Sequence, residues 1–330
     1  MRVAVIGGGA WGTACAIHLV KKGANTLLWL YEPELCEIIG RTRENSYYLP
    51  GITIPNTVEC THLLEQAVKA SDNIILATPS FALRSILQQT APYLSGKTIL
   101  ILTKGLEVKT FLRMSEVASQ IVGIQASVAI LSGPSFAQEV AKGVFTAVVI
   151  ASQSKQVSRH FQEMLHNERL RVYTSEDVVG VELGGALKNV MAIGAGMIQG
   201  LKLGSNTEAA YVTRALAEMR RLGKALGARD ATFMGLSGLG DLVLTCTGPL
   251  SRNRQFGIDL ARGRKAMEIV AGQKAVVEGY YTIDAAYRLS KTCNVEMPIT
   301  EELYRIVYDN KDIRASLEDI AARVYKEEEA

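Results

Sequence analysis

Cysteine, excess charge of one sign and long apolar runs are all scarce in this sequence of 330 residues. The five cysteines are scattered and form no CxxC pair, so we expect neither a disulfide framework nor a zinc site, and a reducing compartment fits. Lys plus Arg number 36 against 33 acidic residues, which gives no reason to expect nucleic acid or a membrane surface as partner. No stretch approaches the apolar length that spans a bilayer. We therefore expect a cytoplasmic protein without a membrane span.

Histidine is equally sparse. The four histidines lie in no motif and show no metal-ligand spacing, so we expect no metal and disfavour catalysis by histidine. No nucleophile elbow around serine or cysteine is present either.

The chain is long enough for two domains. In the first half, short apolar, β-branched runs alternate with helical segments, which is typical of a doubly wound, mostly parallel Rossmann sheet. The second half contains helical stretches such as Val178–Gln199 and no convincing strand after Val172. We expect an α/β domain over residues 1–175 and an all-helical domain over residues 176–330. The predicted strands are Arg2–Ile6, Thr26–Leu30, Asn73–Ala77, Thr98–Leu102, Ser127–Leu131 and Phe145–Ile150.

Three glycines between the first strand and the first helix have the spacing G-x-G-x-x-G. Gly7 permits a tight turn, Gly9 lets the backbone approach a pyrophosphate, and Gly12 lets helix and strand pack closely. The start of the helix offers free N–H groups to the phosphates. The pattern predicts a dinucleotide site, and a glycine-rich turn without ligand is the less expected alternative.

The end of the second strand bears on the choice of dinucleotide. Tyr31 is placed to cover an adenosine, and Glu32 is placed to reach its ribose, where a carboxylate disfavours the 2′-phosphate of NADP. An exposed charge before a helix is nearly as good an explanation of Glu32.

Two further strands end in polar segments. Ligands of an open α/β sheet bind beyond the carboxyl ends of its strands, so Lys104 is placed to bind an anion. The alternative, that Lys104 is a solvated lysine in a loop, is equally well supported. Gly133 allows close approach, and Pro134 and Ser135 suit a helix start that binds an anion.

One lysine of the second half stands among small and apolar residues. Gly184 and Gly185 cost helix stability, so we expect another element to pack closely against them. A lysine in apolar surroundings loses its proton more easily, which makes Lys188 a candidate general acid/base. The alternative is a lysine that reaches solvent at a domain boundary.

Two later turns carry the remaining candidates. Asp241 precedes an apolar run, where capping of a helix is the simplest role and orientation of Lys188 or of substrate hydroxyls the alternative. Ser251 fits an N-cap, and Arg252 and Asn253 carry donors suited to a phosphate. An exposed basic turn is the alternative for that segment.

In combination and order, these segments resemble the bacterial-type NAD(P)-dependent glycerol-3-phosphate dehydrogenases. The resemblance covers nearly the whole chain and is carried by GGGAWG (Gly7–Gly12), NSYYLPGITIP (Asn45–Pro55), TKG (Thr103–Gly105), SGPSFAQEV (Ser132–Val140), ELGGALKNV (Glu182–Val190), GLGDLVLTC (Gly238–Cys246), SRNR (Ser251–Arg254) and VVEGYYT (Val276–Thr282). It implies a Rossmann domain followed by an all-helical domain, and NAD or NADP as cofactor. It also implies reversible reduction of dihydroxyacetone phosphate to sn-glycerol 3-phosphate for phospholipid synthesis.

The resemblance also implies residue roles. Lys188 matches the catalytic acid/base. The positions that match substrate contacts are Lys104, Gly133, Ser135, Lys188, Asp241, Ser251, Arg252 and Asn253. The positions that face the cofactor, apart from the three glycines, are Trp11, Tyr31, Lys104, Ala137, Arg252, Val276 and Glu278.

Several properties stay open. Relatives often carry a basic or polar residue where this chain has Tyr31 and Glu32, so the preference for NAD or NADP is undecided. The oligomeric state, for which a homodimer is one candidate, is undecided too, as are feedback inhibition and net direction. A reductase of another acid, such as a β-hydroxyacid or ketopantoate, is one rival. A Rossmann protein that senses NAD(H) without turnover is the other.

Overall fold

The computed structural model describes residues 2–123, 126–324 and 327–328. Its strands are β1 (Arg2–Ile6), β2 (Asn25–Trp29), β3 (Glu44–Asn45), β4 (Leu49–Thr53), β5 (Val58–Thr61), β6 (Asn73–Leu76), β7 (Thr98–Ile101), β8 (Ser127–Ser132), β9 (Thr146–Ala151) and β10 (Leu170–Ser175). The helices among these strands are α1 (Ala10–Lys21), α2 (Pro33–Thr42), α3 (Leu64–Lys69), α4 (Ser80–Thr90), α5 (Met114–Val122), α6 (Ala137–Lys142) and α7 (Lys155–Leu165). We call this part the sheet half.

The part that follows is helical, and we call it the helical half. Its helices are α8 (Val178–Gly200), α9 (Ser205–Ala225), α10 (Asp230–Phe233), α11 (Asp241–Thr247), α12 (Arg252–Ala261), α13 (Ala266–Ala271), α14 (Glu278–Thr292), α15 (Pro298–Tyr308) and α16 (Ile313–Ala321).

Eight of the strands form one sheet in the order β10-β9-β8-β7-β6-β1-β2-β5. Its neighbouring strands are parallel except for the antiparallel pair β8–β9. The chain order reverses at β1, which lies between β2 and β6, and this switch point is where such sheets bind ligands. The mostly parallel Rossmann sheet and the helical second half are thus confirmed.

Four strands escaped the sequence analysis. The prediction of no strand after Val172 was wrong, because β10 continues to Ser175. As an edge strand it exposes Arg171 and Tyr173 on alternate positions, so it lacks the continuous apolar run that marks a central strand. The other edge strand, β5, and the small hairpin β3–β4 lack such a run for the same reason.

The longest helix, α8, lies at the centre of the helical half. It packs tightly on α12, where a Cβ on Gly257 would lie 1.9 Å from the carbonyl oxygen of Ile193. Within the described part of the chain, α8 is also the one helix long and apolar enough to cross a membrane, with a mean hydropathy of 1.3, so the expectation of no such stretch was wrong. Because 89% of this apolar segment of α8 is buried inside the fold, packing in the core accounts for its composition.

Candidate active site

The glycine turn between β1 and α1 has the geometry of a phosphate cradle. Gly7 has a φ of +119°, and a Cβ on Gly12 would lie 1.9 Å from the carbonyl oxygen of Gly7. By contrast, a Cβ on Gly9 would meet no heavy atom of the described chain within 4 Å. Gly9 is the N-cap of α1 and has no side chain to occupy the free N–H groups of the first turn. These residues fit a dinucleotide, whose pyrophosphate would approach Gly9.

A buried asparagine that the sequence analysis missed supports this turn. Asn45 is fully buried, and its Nδ2 donates to the carbonyl oxygen of Gly8 and to the Oγ1 of Thr13, both at 2.8 Å. Its Oδ1 accepts from the backbone N–H of Tyr48 at 3.1 Å. The β3–β4 hairpin thereby fixes the position of the glycine turn. A polar residue at the start of NSYYLPG was the available signal.

We expect Asn45→Ala to lower the free energy of unfolding by about 1–3 kcal/mol, because it leaves buried polar groups of the glycine turn without a partner. The dissociation constant of the reduced cofactor should rise with it, since the turn loses its support. Urea unfolding and a fluorescence titration measure the two effects. Thr42→Ala, an exposed position on α2, is the control. Unchanged stability and unchanged cofactor affinity in Asn45→Ala would contradict the supporting role.

Two lysines from different halves share one buried carboxylate. Lys188 Nζ donates to Oδ1 of Asp241, and Lys104 Nζ donates to Oδ2, both at 2.6 Å. Asp241 has no exposed surface, and the side chain of Lys188 is only 10% exposed. Lys188 also donates to Thr245 Oγ1 at 2.9 Å, and Lys104 donates to the carbonyl oxygen of Gly133 at 3.0 Å. The expectation that Asp241 caps a helix was wrong: α11 begins at Asp241, but its carboxylate binds the two amines instead.

The acidity of Lys188 is set by this environment. Burial lowers the pKa of the amine, the carboxylate of Asp241 raises it, and the charge of Lys104 lowers it; together these effects bring it from 10.5 to about 8. At neutral pH the amine therefore carries a proton that it can release at moderate cost. Such a group suits general acid/base catalysis.

The adjacent glycines of α8 allow this close arrangement. A Cβ on Gly185 would lie 2.5 Å from Ser132 Oγ at the end of β8, and one on Gly184 would lie 2.3 Å from the carbonyl oxygen of Ser237. The expectation that another element packs against these glycines is confirmed. This contact brings the α8 turn before Lys188 against the carboxyl edge of the sheet.

The start of α12 lies on the same side of α8. Ser251 caps α12, as expected: its hydroxyl accepts from the backbone N–H of Arg254 at 3.2 Å, and the helix begins at Arg252. Asn253 Nδ2 donates to Oδ1 of Asn189 at 2.9 Å, and Asn253 Oδ1 accepts from the N–H of Gly279 at 2.9 Å. The polar groups of α8, α12 and α14 are thus fixed relative to one another.

The exposed guanidinium of Arg252 is the cation at this turn. Its Nη1 donates to the carbonyl oxygen of Val276 at 2.8 Å, and the other nitrogen donors stay available to a ligand.

Two residues after Val276, Glu278 accepts from the N–H and the Oγ of Ser80, at 3.1 and 2.6 Å. Desolvation raises the pKa of Glu278 against the effect of these hydrogen bonds. Ser80, at the start of α4, is a second residue that the sequence analysis missed.

The remaining candidates differ in their placement. Ser135 directs its hydroxyl to the carbonyl oxygen of Gly133 at 2.9 Å, so the predicted helix start at Pro134–Ser135 was wrong and α6 begins only at Ala137. Tyr31 is 78% exposed. Glu32 is held by Tyr48, whose hydroxyl donates to it at 2.6 Å, so it is not a free surface charge. The indole Nε1 of Trp11 is buried without a hydrogen-bond partner among the described residues.

A chain of contacts links the glycine turn to the lysine pair. A Cβ on Gly7 would lie 2.7 Å from the backbone of Ala77. The carbonyl oxygen of the following residue, Thr78, accepts a hydrogen bond from Thr103 Oγ1 at 2.7 Å. Lys104 follows Thr103 in sequence. The amine of Lys188 therefore lies inside the molecule at the ligand-binding edge, not on the outer surface. The described residues contain no group of three His, Cys, Asp or Glu side chains that could hold a metal ion.

Comparison with known proteins matches both halves. Residues 2–158 match the family model of the NAD-dependent glycerol-3-phosphate dehydrogenase N-terminus, and residues 177–318 match that of its C-terminus. A glycerol-3-phosphate dehydrogenase [NAD(P)+] of Geobacter metallireducens is 46% identical over 99% of this chain and 98% of its own length. One from Syntrophotalea carbinolica is 45% identical over 99% of both chains. The crystal structure of the glycerol-3-phosphate dehydrogenase of Coxiella burnetii superposes with a TM-score of 0.94 at 38% identity, covering 98% of this chain and 99% of its own.

Proposed function

Because this chain belongs to the NAD-dependent glycerol-3-phosphate dehydrogenase family, we propose the residue roles by which it catalyses the family's reaction. That reaction is the NAD(P)-dependent, reversible reduction of dihydroxyacetone phosphate to sn-glycerol 3-phosphate, which supplies glycerophospholipid synthesis. The observation that carries the assignment of roles is the buried carboxylate of Asp241, held between the amines of Lys104 and Lys188 at the edge of the sheet. No metal takes part in the proposed mechanism.

The proposed chemistry centres on Lys188. A bound nicotinamide supplies the hydride in one direction and accepts it in the other. Lys188 donates its proton to the carbonyl oxygen as negative charge develops there, and removes a proton from the hydroxyl in reverse. Asp241 orients the amine through the 2.6 Å hydrogen bond, and Lys104, which donates to the other oxygen of this carboxylate, adds a second positive charge to the site.

The phosphate of the substrate needs a separate anchor, so that the reacting carbon stays in place. We assign this role to Arg252 and Asn253 at the start of α12, with the segment of Gly133 and Ser135 and the cap residue Ser251 on the same side. The cofactor is assigned to the three glycines of the turn and to Trp11, Tyr31, Lys104, Ala137, Arg252, Val276 and Glu278. The free space at Gly9 supports the cofactor assignment, and the exposed guanidinium of Arg252 is accessible to either ligand.

We also propose a division into an NAD(P)-binding domain, residues 1–175, and a substrate domain, residues 176–330. β10 ends at Ser175 and α8 begins at Val178, which supports it. The ends of these ranges include residues outside the described part of the chain. The cytoplasmic location and the homodimer stay predictions, which cell fractionation and sedimentation analysis test.

The absorbance of the reduced nicotinamide tests the proposed function directly. We expect oxidation of NADH or NADPH when dihydroxyacetone phosphate is added, and no comparable oxidation with ketopantoate or a β-ketoacid. Comparing the two cofactors decides whether Glu32 discriminates against the 2′-phosphate. Binding of reduced cofactor without turnover would instead favour the sensor, and turnover of the acids alone would favour the related reductases.

The pKa of Lys188 predicts opposite pH dependences for the two directions. Reduction needs the protonated amine, so its kcat/KM should fall as the pH rises through about 8, whereas kcat/KM for oxidation should rise through the same pH. Asp241→Asn removes the charge that raises this pKa, so it should move both midpoints to lower pH. Initial rates between pH 6 and pH 10 give the profiles. Parallel profiles in the two directions, or midpoints that ignore Asp241→Asn, would remove Lys188 from the proton transfer.

A further inference from the structure

A cavity of about 320 Å³ opens on the sheet half at the end of α1 that is remote from the glycine turn. It is lined by His18, Lys21, Val140, Lys142, Gly143, Val144, Asn167 and Arg169. These residues come from the last turns of α1 and α6, from the loop between α6 and β9, and from the loop between α7 and β10. The volume is at the lower end of the range of small-molecule sites.

The charges of this cavity are unbalanced. Its lining contains Lys21, Lys142 and Arg169 but no acidic residue, and none of the three forms an ion pair within the described chain. The carbonyl ends of α1 and α6 offset part of this positive charge, and Lys21 Nζ already donates to the carbonyl oxygen of Ala141 at 3.2 Å. The three exposed cations nevertheless leave the lining positively charged, which suits an anion.

The other lining groups define what else the ligand carries. Asn167 Oδ1 is taken by the backbone N–H groups of Arg169 and Leu170, at 2.9 and 2.8 Å, so its amide Nδ2 is left as a donor. Val140 and Val144 supply an apolar wall. Burial lowers the pKa of His18 against the opposite effect of the hydrogen bond between its Nε2 and the carbonyl oxygen of Leu165 at 2.6 Å, so the ring adds no positive charge. A phosphate with a small organic body fits this combination of groups.

The cavity is distinct from the proposed active site. α1 has 12 residues, so its two ends are about 16 Å apart at 1.5 Å per residue. The pyrophosphate cradle lies at the N-terminal end and the three cations gather at the C-terminal end. We propose that this cavity is a second anion site, which binds a small phosphate monoester through Lys21, Lys142 and Arg169.

Calorimetric titration of the full chain with ribose 5-phosphate, at fixed ionic strength in chloride buffer, tests the site. We expect saturable binding, and none with ribose. The double variant Lys142→Gln/Arg169→Gln should bind at least about tenfold more weakly, since it removes two of the three cations that would donate to the phosphate. Arg159→Gln/Lys202→Gln removes two exposed cations elsewhere and is the matched control. Thermal unfolding verifies that both double variants fold.

A third variant separates this cavity from the cleft. Arg252→Gln removes the proposed phosphate anchor of the active site, so it should leave the binding of ribose 5-phosphate unchanged. If Arg252→Gln abolishes the signal while Lys142→Gln/Arg169→Gln keeps it, the probe binds in the cleft and the proposal is wrong. Absence of any saturable binding would also overturn it, and the lysines would then serve only to offset the two helix dipoles. Neither result alters the assignment of Lys188.

Discussion

Replacing Lys188 by methionine is expected to lower kcat by about 10²–10⁴-fold in both directions, the usual loss when a positioned acid/base is removed. Methionine keeps most of the buried volume, and Asp241 keeps a cation because Lys104 still donates to it at 2.6 Å. The fold should therefore persist, and the dissociation constant of NADH should change little. Single-turnover kinetics and a fluorescence titration with NADH measure the two quantities.

The control for this variant is Lys202→Met, which changes an exposed lysine just after α8. It should keep the full turnover rate. If Lys188→Met retains kcat within a fewfold, another group delivers the proton and the role of Lys188 is refuted. If it loses NADH binding as well, the loss of turnover reflects a damaged cofactor site and not a missing acid.

Two substitutions in the glycine turn are expected to have different effects: Gly12→Ala should lower the stability of the fold, and Gly9→Ala should weaken cofactor binding. Gly12→Ala places a Cβ 1.9 Å from the carbonyl oxygen of Gly7, so helix α1 must move away from β1 at a cost of about 1–3 kcal/mol or more. Gly9→Ala meets no protein atom within 4 Å among the described residues, and its φ of −68° suits alanine, so its stability should stay within about 0.5 kcal/mol of the parent. Its Cβ occupies the space left for the pyrophosphate. One lost hydrogen bond to a charged group makes NADH binding about 10- to 100-fold weaker.

Urea unfolding measures the loss of stability in Gly12→Ala, and titration with NADH measures the loss of affinity in Gly9→Ala. Gly40→Ala on α2, whose Cβ also meets open space, should change neither cofactor affinity nor the packing of the turn. Full cofactor affinity in Gly9→Ala would mean that the pyrophosphate does not approach this glycine.

Local sequence patterns predicted those parts of the fold in which one segment determines its own structure. The glycine turn is such a part, because the positive φ of Gly7 and the close packing at Gly12 restrict these two positions to glycine. The central strands are another, since burial on both faces demands continuous apolar runs. β5 and β10 were missed because edge strands expose alternate residues and carry no such signature.

The candidate site was harder to derive, because its chemistry depends on contacts between distant segments. Asp241 was assigned to capping on local grounds. Its two partners, Lys104 and Lys188, precede it by 137 and 53 positions in the sequence, and only the folded structure brings them to it. Asn45 and Ser80 looked ordinary in sequence for the same reason: their partners are at Gly8 and Glu278. The glycine pair beside Lys188 did predict a close neighbour, but not which one.

The apolar composition of α8 has a consequence during synthesis on the ribosome. The helix is complete at Gly200, but α12 and α14, which cover it, end at Ala261 and Thr292. At about 5–20 residues per second, the 92 residues from Gly200 to Thr292 take about 5–18 s to translate. During that interval the nascent chain presents a segment with the hydropathy of a membrane anchor. The burial of α8 is therefore complete only after these later helices have been synthesised.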